Sequence, residues 1–299
     1  MQHTKTVDPV LDIVSVAELR EWMRFQDGVV EQDDVLEVLI DEVINDLESR
    51  TNRAFGTQTR TISLDRCEVS STIYIRTLPL ISVTSIVTTD DDGDTTTVAT
   101  TNYQVRGGTN PRITLTTDGE WPDDMREFDG MVITCQVGAD GTAKTFTGFE
   151  PATTHDPGLD DMIAAVGTWA GSTRTKYEIV IDAEATPDTI KWRAVTRDAD
   201  GSKTYGAWTA TVNITGAAQV LEAGVSVTFT ATTGHTLSDQ WNVHIVEPIP
   251  LKIKQLFKGL IQFAYNSGGS GVWESKAGQV IRTPRDLEKK IEELRVVPL

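Results

Sequence analysis

The stretch from Glu31 to Gly56 constrains this chain most. Its apolar residues Val35, Leu36, Leu39, Ile40, Val43, Ile44 and Leu47 recur at spacings of three and four, which predicts one apolar stripe along an α-helix. Glu31, Asp33 and Asp34 suit the positive end of the helix dipole, Arg50 and Arg53 the negative end, and Gly56 a left-handed cap. A stripe of this kind has to be buried against something. The best match lies far downstream, where Pro248 and Pro250 precede Ile249, Ile253, Leu256, Phe257, Leu260, Ile261 and Ala264, again at helical spacing.

These two stripes predict an α+β protein with a helical core, made of an N-terminal helix hairpin plus a C-terminal helix. Leu36, Leu39, Ile40, Val43 and Leu47 would pack with Ile253, Leu256, Phe257 and Leu260, with Leu39 and Ile40 facing Leu256 or Phe257. The first helix of the hairpin follows Ser15-Val-Ala-Glu18, which has the form of a capping box, and continues through Val16, Leu19, Trp22 and Met23. Residues 1–14 read as an arm.

From Thr57 the period changes to two. Strands are predicted at 59–64, 72–75, 81–87, 95–99, 103–105, 112–115 and 131–137. Asp90–Asp94 clusters carboxylates as a calcium loop would, but Asp-Gly also favours a hairpin turn, and the spacing of a calcium loop with its distant Glu is missing. Residues 139–176 read as a boundary, and five further strands over 177–246 predict a small sandwich anchored by Trp192 and Trp241. The predicted domains are an adaptor-like core of 1–138 and 248–299 and an inserted β-sandwich-like domain of 139–247. A flexible link at 266–271 precedes a last helix with Thr283 as its cap.

Charge narrows the function. The 27 basic and 44 acidic residues give a formal net charge of −17, which disfavours a protein whose task is gripping nucleic-acid phosphates. Residues 1–56 carry 5 basic and 13 acidic groups, and residues 249–299 carry 9 and 5, so only the tail is basic. Cys67 and Cys135 read as ordinary buried thiols, and His235 and His244 as structural side chains. The N-terminus lacks a secretory signal and no stretch is apolar enough to cross a bilayer, so no membrane association is expected. No catalytic, metal or cofactor residues stand out.

The order Ser15-Val-Ala-Glu-Leu-Arg20, Asp33-Asp-Val-Leu-Glu-Val-Leu-Ile40 and Arg50-Thr-Asn-Arg-Ala-Phe55 resembles the head-tail connector, or head-completion adaptor, proteins of long-tailed bacteriophages. Leu78-Pro-Leu80 leading into 81–87, and Ile249-Pro-Leu-Lys-Ile-Lys254 onward, extend the likeness over about 1–138 and 248–270. Tyr177–Asp182, Pro187–Trp192 and Gly234–Trp241 look like a β-module that recurs in phage structural proteins, an insertion the compact adaptors lack. The resemblance implies a virion protein of the neck, assembled in the host cytoplasm. It implies a dodecameric ring of neighbouring adaptor subunits bound to the portal protein and to a tail or stopper protein, with DNA passing through its channel without sequence-specific binding. Lys276, Arg282, Arg285, Lys289, Lys290 and Arg295 are the candidate portal or subunit contacts.

Two rivals belong to other classes. A hydrolase built on paired carboxylates lacks a neighbouring His or a nucleophile motif. A phage surface or tail structural protein, whose β insert binds a carbohydrate or another virion protein, is the alternative that the sandwich allows.

Overall fold

The computed structural model describes residues 2–9, 11–25, 32–77, 79–107, 110–139, 142–152, 158–198, 201–267 and 284–295. Contacts divide the chain into two units, one of Met1–Pro9, Leu47–Gly141 and Ile291–Leu299, the other of Val10–Asp46 and Thr142–Lys290.

Among its described residues the first unit holds eight strands: β1 (Gln2–Val7), β2 (Gln58–Leu64), β3 (Thr72–Tyr74), β4 (Leu80–Thr89), β5 (Thr95–Thr97), β6 (Tyr103–Arg106), β7 (Arg112–Leu115) and β8 (Met131–Val137). They form an antiparallel sheet in the order β1-β2-β8-β4-β5 and a second in the order β3-β7-β6. Period-two alternation places Ile62 and Leu64 opposite Ile133 and Met131 on the inner face, while Thr59, Thr61 and Ser63 point outward. Ile73, Ile113, Ile86 and Tyr103 complete this core. The acidic loop before β8 contributes too: Met125 is buried, and Trp121 donates its indole N–H to the Ser70 carbonyl at 2.9 Å. Asp90–Asp94 is a turn between β4 and β5, with the Asp90 carboxylate accepting from the Asp94 amide at 2.8 Å and Gly93 at φ +89°. Gly138, at φ +119° after β8, would place a Cβ 2.1 Å from the Gly56 carbonyl oxygen, so only glycine fits there.

The second unit holds β9 (Lys144–Glu150), β10 (Met162–Val166), β11 (Arg174–Ala183), β12 (Thr189–Arg197), β13 (Lys203–Tyr205), β14 (Val212–Asn213), β15 (Gln219–Val220), β16 (Val225–Phe229) and β17 (Gln240–Val246). Its larger sheet runs β13-β12-β11-β17-β9, with β14 also on β12, and its smaller one β10-β16-β15. Register aligns Phe149, Trp241, Ile179 and Trp192 across one face of the larger sheet. With Tyr177, Val243, Val227 and Phe229 they build a sandwich core, in which Trp241 is wholly buried and Trp192 half-buried.

Four helices occur among the described residues: α1 (Val16–Met23), α2 (Asp33–Thr51), α3 (Leu251–Asn266) and α4 (Arg285–Leu294). Ser15 and Glu18 make the reciprocal capping box that starts α1. The second Glu18 oxygen pairs with Lys254, Trp22 donates to Gln262 at 3.1 Å, and Phe25 meets Tyr265 at 5.5 Å, so α1 and α3 share a seam. Ala17 rests on Gly148 of β9.

A helical core is not what holds this chain together. The two apolar clusters described above are built on strands and contain no residue of α1–α4. Leu36, Leu39, Ile40, Val43 and Leu47 of α2 and Leu256, Phe257 and Leu260 of α3 are buried, Ile253 is half-buried, and Val35 is 41% exposed. Ile40 lines a cavity with Val195 and His244, on the face of the larger sheet opposite the sandwich core. Periodicity identifies a buried face but not its cover, and here β12 and β17 supply part of that cover at Ile40. Other readings also change. The arm contains β1, the boundary at 139–176 contains β9 and β10, and Cys67 is exposed while Cys135 is buried.

Candidate functional site

The outer face of the larger sheet carries an ionic junction to α2. Glu37 and Asp41, four residues apart, lie on one side of that helix. Arg197 meets Asp12 at 2.9 Å, Asp41 at 3.4 Å and Glu37 at 3.7 Å; Lys203 meets Asp34 at 2.6 Å and Glu37 at 2.8 Å; Arg174 pairs with Asp41. Burial works against the Arg197 charge, but Asp12, Asp41 and Glu37 outweigh it and raise its pKa. His244 beside them is driven down to about 3, by burial first and then by Lys176 and Arg197. The cavity here, of about 30 Å³, is too small for a ligand much larger than water.

A larger cavity, of about 220 Å³, opens between α1 and β9. Arg20, Glu21 and Phe25 line one side, Phe149 and Glu150 another, and Asp160 a third. Arg20 pairs with Glu150 at 2.8 Å and Asp160 accepts the Trp241 indole N–H at 3.0 Å. Glu21 is exposed and has no hydrogen-bond or ion-pair partner for its side chain among the described residues. Next to this cavity's Arg20, Asp33 is pushed up to about 6 by burial, against the lowering pull of Arg20 at 3.8 Å, and one of its oxygens has no hydrogen-bond partner among the described residues.

Of the candidate contacts, Lys276 and Arg282 lie outside the described residues. Arg285, Lys289, Lys290 and Arg295 are exposed on or just after α4. Arg295 approaches Glu292 at 3.7 Å, whereas Arg285, Lys289 and Lys290 have no ion-pair partner among the described residues. Over 285–295 these four cations are matched by Asp286, Glu288, Glu292 and Glu293, so the segment is neutral overall. Its apolar side is seated: Ile291 is buried, and Arg53 donates to the Leu294 carbonyl at 2.8 Å.

A third surface lies on β12 and the segment after it. The Arg193 guanidinium sits 4.8 Å from the Tyr205 ring centroid and 4.5 Å from that of Trp208, and is anchored to Glu178 at 2.7 Å. Tyr205 and Trp208 remain 53% and 37% exposed. At one end of the sandwich, buried His235 presents Nδ1 to Asp188 at 2.9 Å and Nε2 to Asp161 at 3.0 Å. Both aspartates come from distant parts of the sequence, so no local motif announces the arrangement. No group of three or more metal-ligating side chains occurs among the described residues, and none of their helices is long and apolar enough to cross a membrane.

No protein-family model matches the chain, and no curated protein matches it. Solved structures do. The neck of an empty GTA particle computed with C6 symmetry contains a chain of 22% identity and TM-score 0.41, the match covering 46% of this chain and 71% of that one. The virion of a native gene transfer agent (GTA) particle gives 22% identity and TM-score 0.39 over 46% and 72%. The neck of a native GTA particle computed with C12 symmetry gives 21% and 0.37 over 46% and 70%. Over somewhat under half its length, the chain is similar to chains from gene transfer agent particles, two of them from necks.

Proposed function

We propose that this chain is a structural head-tail adaptor of a tailed-phage-type virion, a subunit that multiplies into a ring on the portal and extends the DNA channel toward the tail. The observation that carries the reading is what becomes of the segments resembling the adaptors. Ser15–Arg20 begins α1 through a closed capping box, 33–40 opens α2, and Arg50–Phe55 ends it in a turn held by buried Glu48. Glu48 accepts from the Phe55 amide at 2.9 Å, from Gln58 at 2.8 Å and from Arg60 at 3.0 Å. Three loose apolar patterns therefore correspond to three defined local structures.

Charge suits the same role. A chain of formal net charge −17 repels phosphates, so DNA slides past it without being held. A closed ring of more than two subunits needs two different patches on each subunit, and the exposed cations of α4 and the acidic groups lining the cavity beside α1 differ in sign. Negative-stain images and mass photometry of purified protein, with and without the cognate portal, test this. Rings with a central channel are the expected result; a monomer that ignores the portal at micromolar concentration would overturn it.

One observation favours the second reading, a β-module that binds a carbohydrate or another virion protein. Tyr205 and Trp208 offer exposed ring surface beside Arg193, and aromatic faces stack on apolar sugar faces. Binding to host envelope glycans that is lost in Trp208→Ala would support it, and no binding to host glycans or virion components would exclude it.

A further inference from the structure

We infer that the cavity between α1 and β9 is a socket for a cationic side chain from α4 of a second copy of this chain. The inference rests on the ring reading and names one of its contacts.

The cavity is built for a cation. It has room for a long side chain, at about 220 Å³, and the rings of Phe25 and Phe149 line it. Among its charged lining groups, Glu21, Glu150 and Asp160 outnumber Arg20; Glu150 already accepts from Arg20 and Asn242 and Asp160 from Trp241, which leaves Glu21 as the acid without a partner among the described residues. Glu21 stands exposed with no ion-pair partner for its carboxylate among the described residues. A guanidinium or ammonium entering here gains carboxylate and ring contacts together, in a recess that holds less water than open surface.

The occupant follows from charge. Copies with net charge −17 repel one another, so a contact between copies is favoured where exposed cations of one meet acids of another. On α4, Arg285 and Lys289 lie one turn apart on one flank, exposed and without ion-pair partners among the described residues. Because the apolar side of α4 is seated on its own chain through Ile291, the flank that carries these cations is left for a neighbour. Socket and cation are different patches, so the contact is head-to-tail and closes into a ring when the rotation allows.

The test is a charge swap. Glu21→Arg and Arg285→Glu alone are each expected to raise the protein concentration needed for half-maximal ring formation roughly tenfold, and the double variant to recover most of that loss. Both positions are exposed, and thermal melts of the monomers check that each variant still folds. Undiminished rings in Glu21→Arg, or a double variant no better than the singles, would overturn the socket while leaving the ring reading in place. A wild-type chain that never forms rings, even with portal, would remove both.

Discussion

The Arg197 guanidinium and the Asp12 carboxylate meet at 2.9 Å across 185 residues of chain, with the arginine side chain only 9% exposed. The pair ties the segment before α1 to β12, and Asp41 and Glu37 of α2 converge on the same guanidinium. Removing one partner of a buried charge cluster costs far more than removing an exposed pair, because the acids are left facing each other. Arg197→Ala is expected to cost about 3–5 kcal/mol in denaturant unfolding. Arg197→Lys keeps the charge but not the planar fork, and should cost less. Equal stability of Arg197→Ala and wild type would mean the cluster contributes nothing.

His244 gives this unit a defined acid sensitivity. Its imidazole, held at about 3 against an ordinary 6.5, is neutral in both folded and unfolded chains above pH 6.5. As pH falls from 6.5 toward 3, the unfolded chain takes up a proton that the folded chain refuses, so stability declines across that window. In His244→Gln the melting temperature should fall less between pH 7 and pH 4 than in wild type. Parallel curves would show that the imidazole is not responsible.

Asp33 works in the opposite direction. Its carboxyl, raised from 3.8 to about 6, is protonated in both states below pH 3.8 and costs folding energy increasingly as pH rises through 6. Asp33→Asn should stabilise the protein at pH 8 by at most about 3 kcal/mol, before solvent screening is discounted, and leave it unchanged near pH 3.5. A loss of stability at pH 8 would show that the carboxylate instead supports the start of α2.

Glu48 tests the first unit. Its buried carboxylate accepts from an amide, a carboxamide and a guanidinium, so Glu48→Ala leaves Arg60 as a partly buried cation without that partner. A loss of about 3–5 kcal/mol is expected in Glu48→Ala, with part of it recovered when Arg60→Met is added. A double variant as unstable as the single would place the cost in the turn rather than in the charge.

Much of the local structure was legible because it depends on neighbours in sequence. The Ser15–Glu18 capping box, the buried stripe Leu36, Leu39, Ile40, Val43 and the alternation through Ile62 and Leu64 are each written within a few residues. What covers the stripe was not legible, because a helix meets a sheet and a helix with the same period. The strand β9 was missed since Lys144–Glu150 is half-buried along its length and rich in Thr and Gly, which read as loop. The partners of the ionic junction are separated by 133 to 185 residues, and each looks alone like a solvated charge. The cavity beside Glu21 had no signal of its own, since it exists only once α1 lies on β9.

Glu18 links two events that are usually separate. One of its oxygens receives the Ser15 amide and fixes where α1 begins, while the other receives Lys254 and fixes where α1 lies. At eight residues α1 is too short to persist in water by itself. Its first turn and its docking on α3 thus share one carboxylate, which gives the chain a checkpoint: an α1 started one residue out of register loses its cap and its anchor together, so a misframed start is rejected twice before the rest of the helix can form around it.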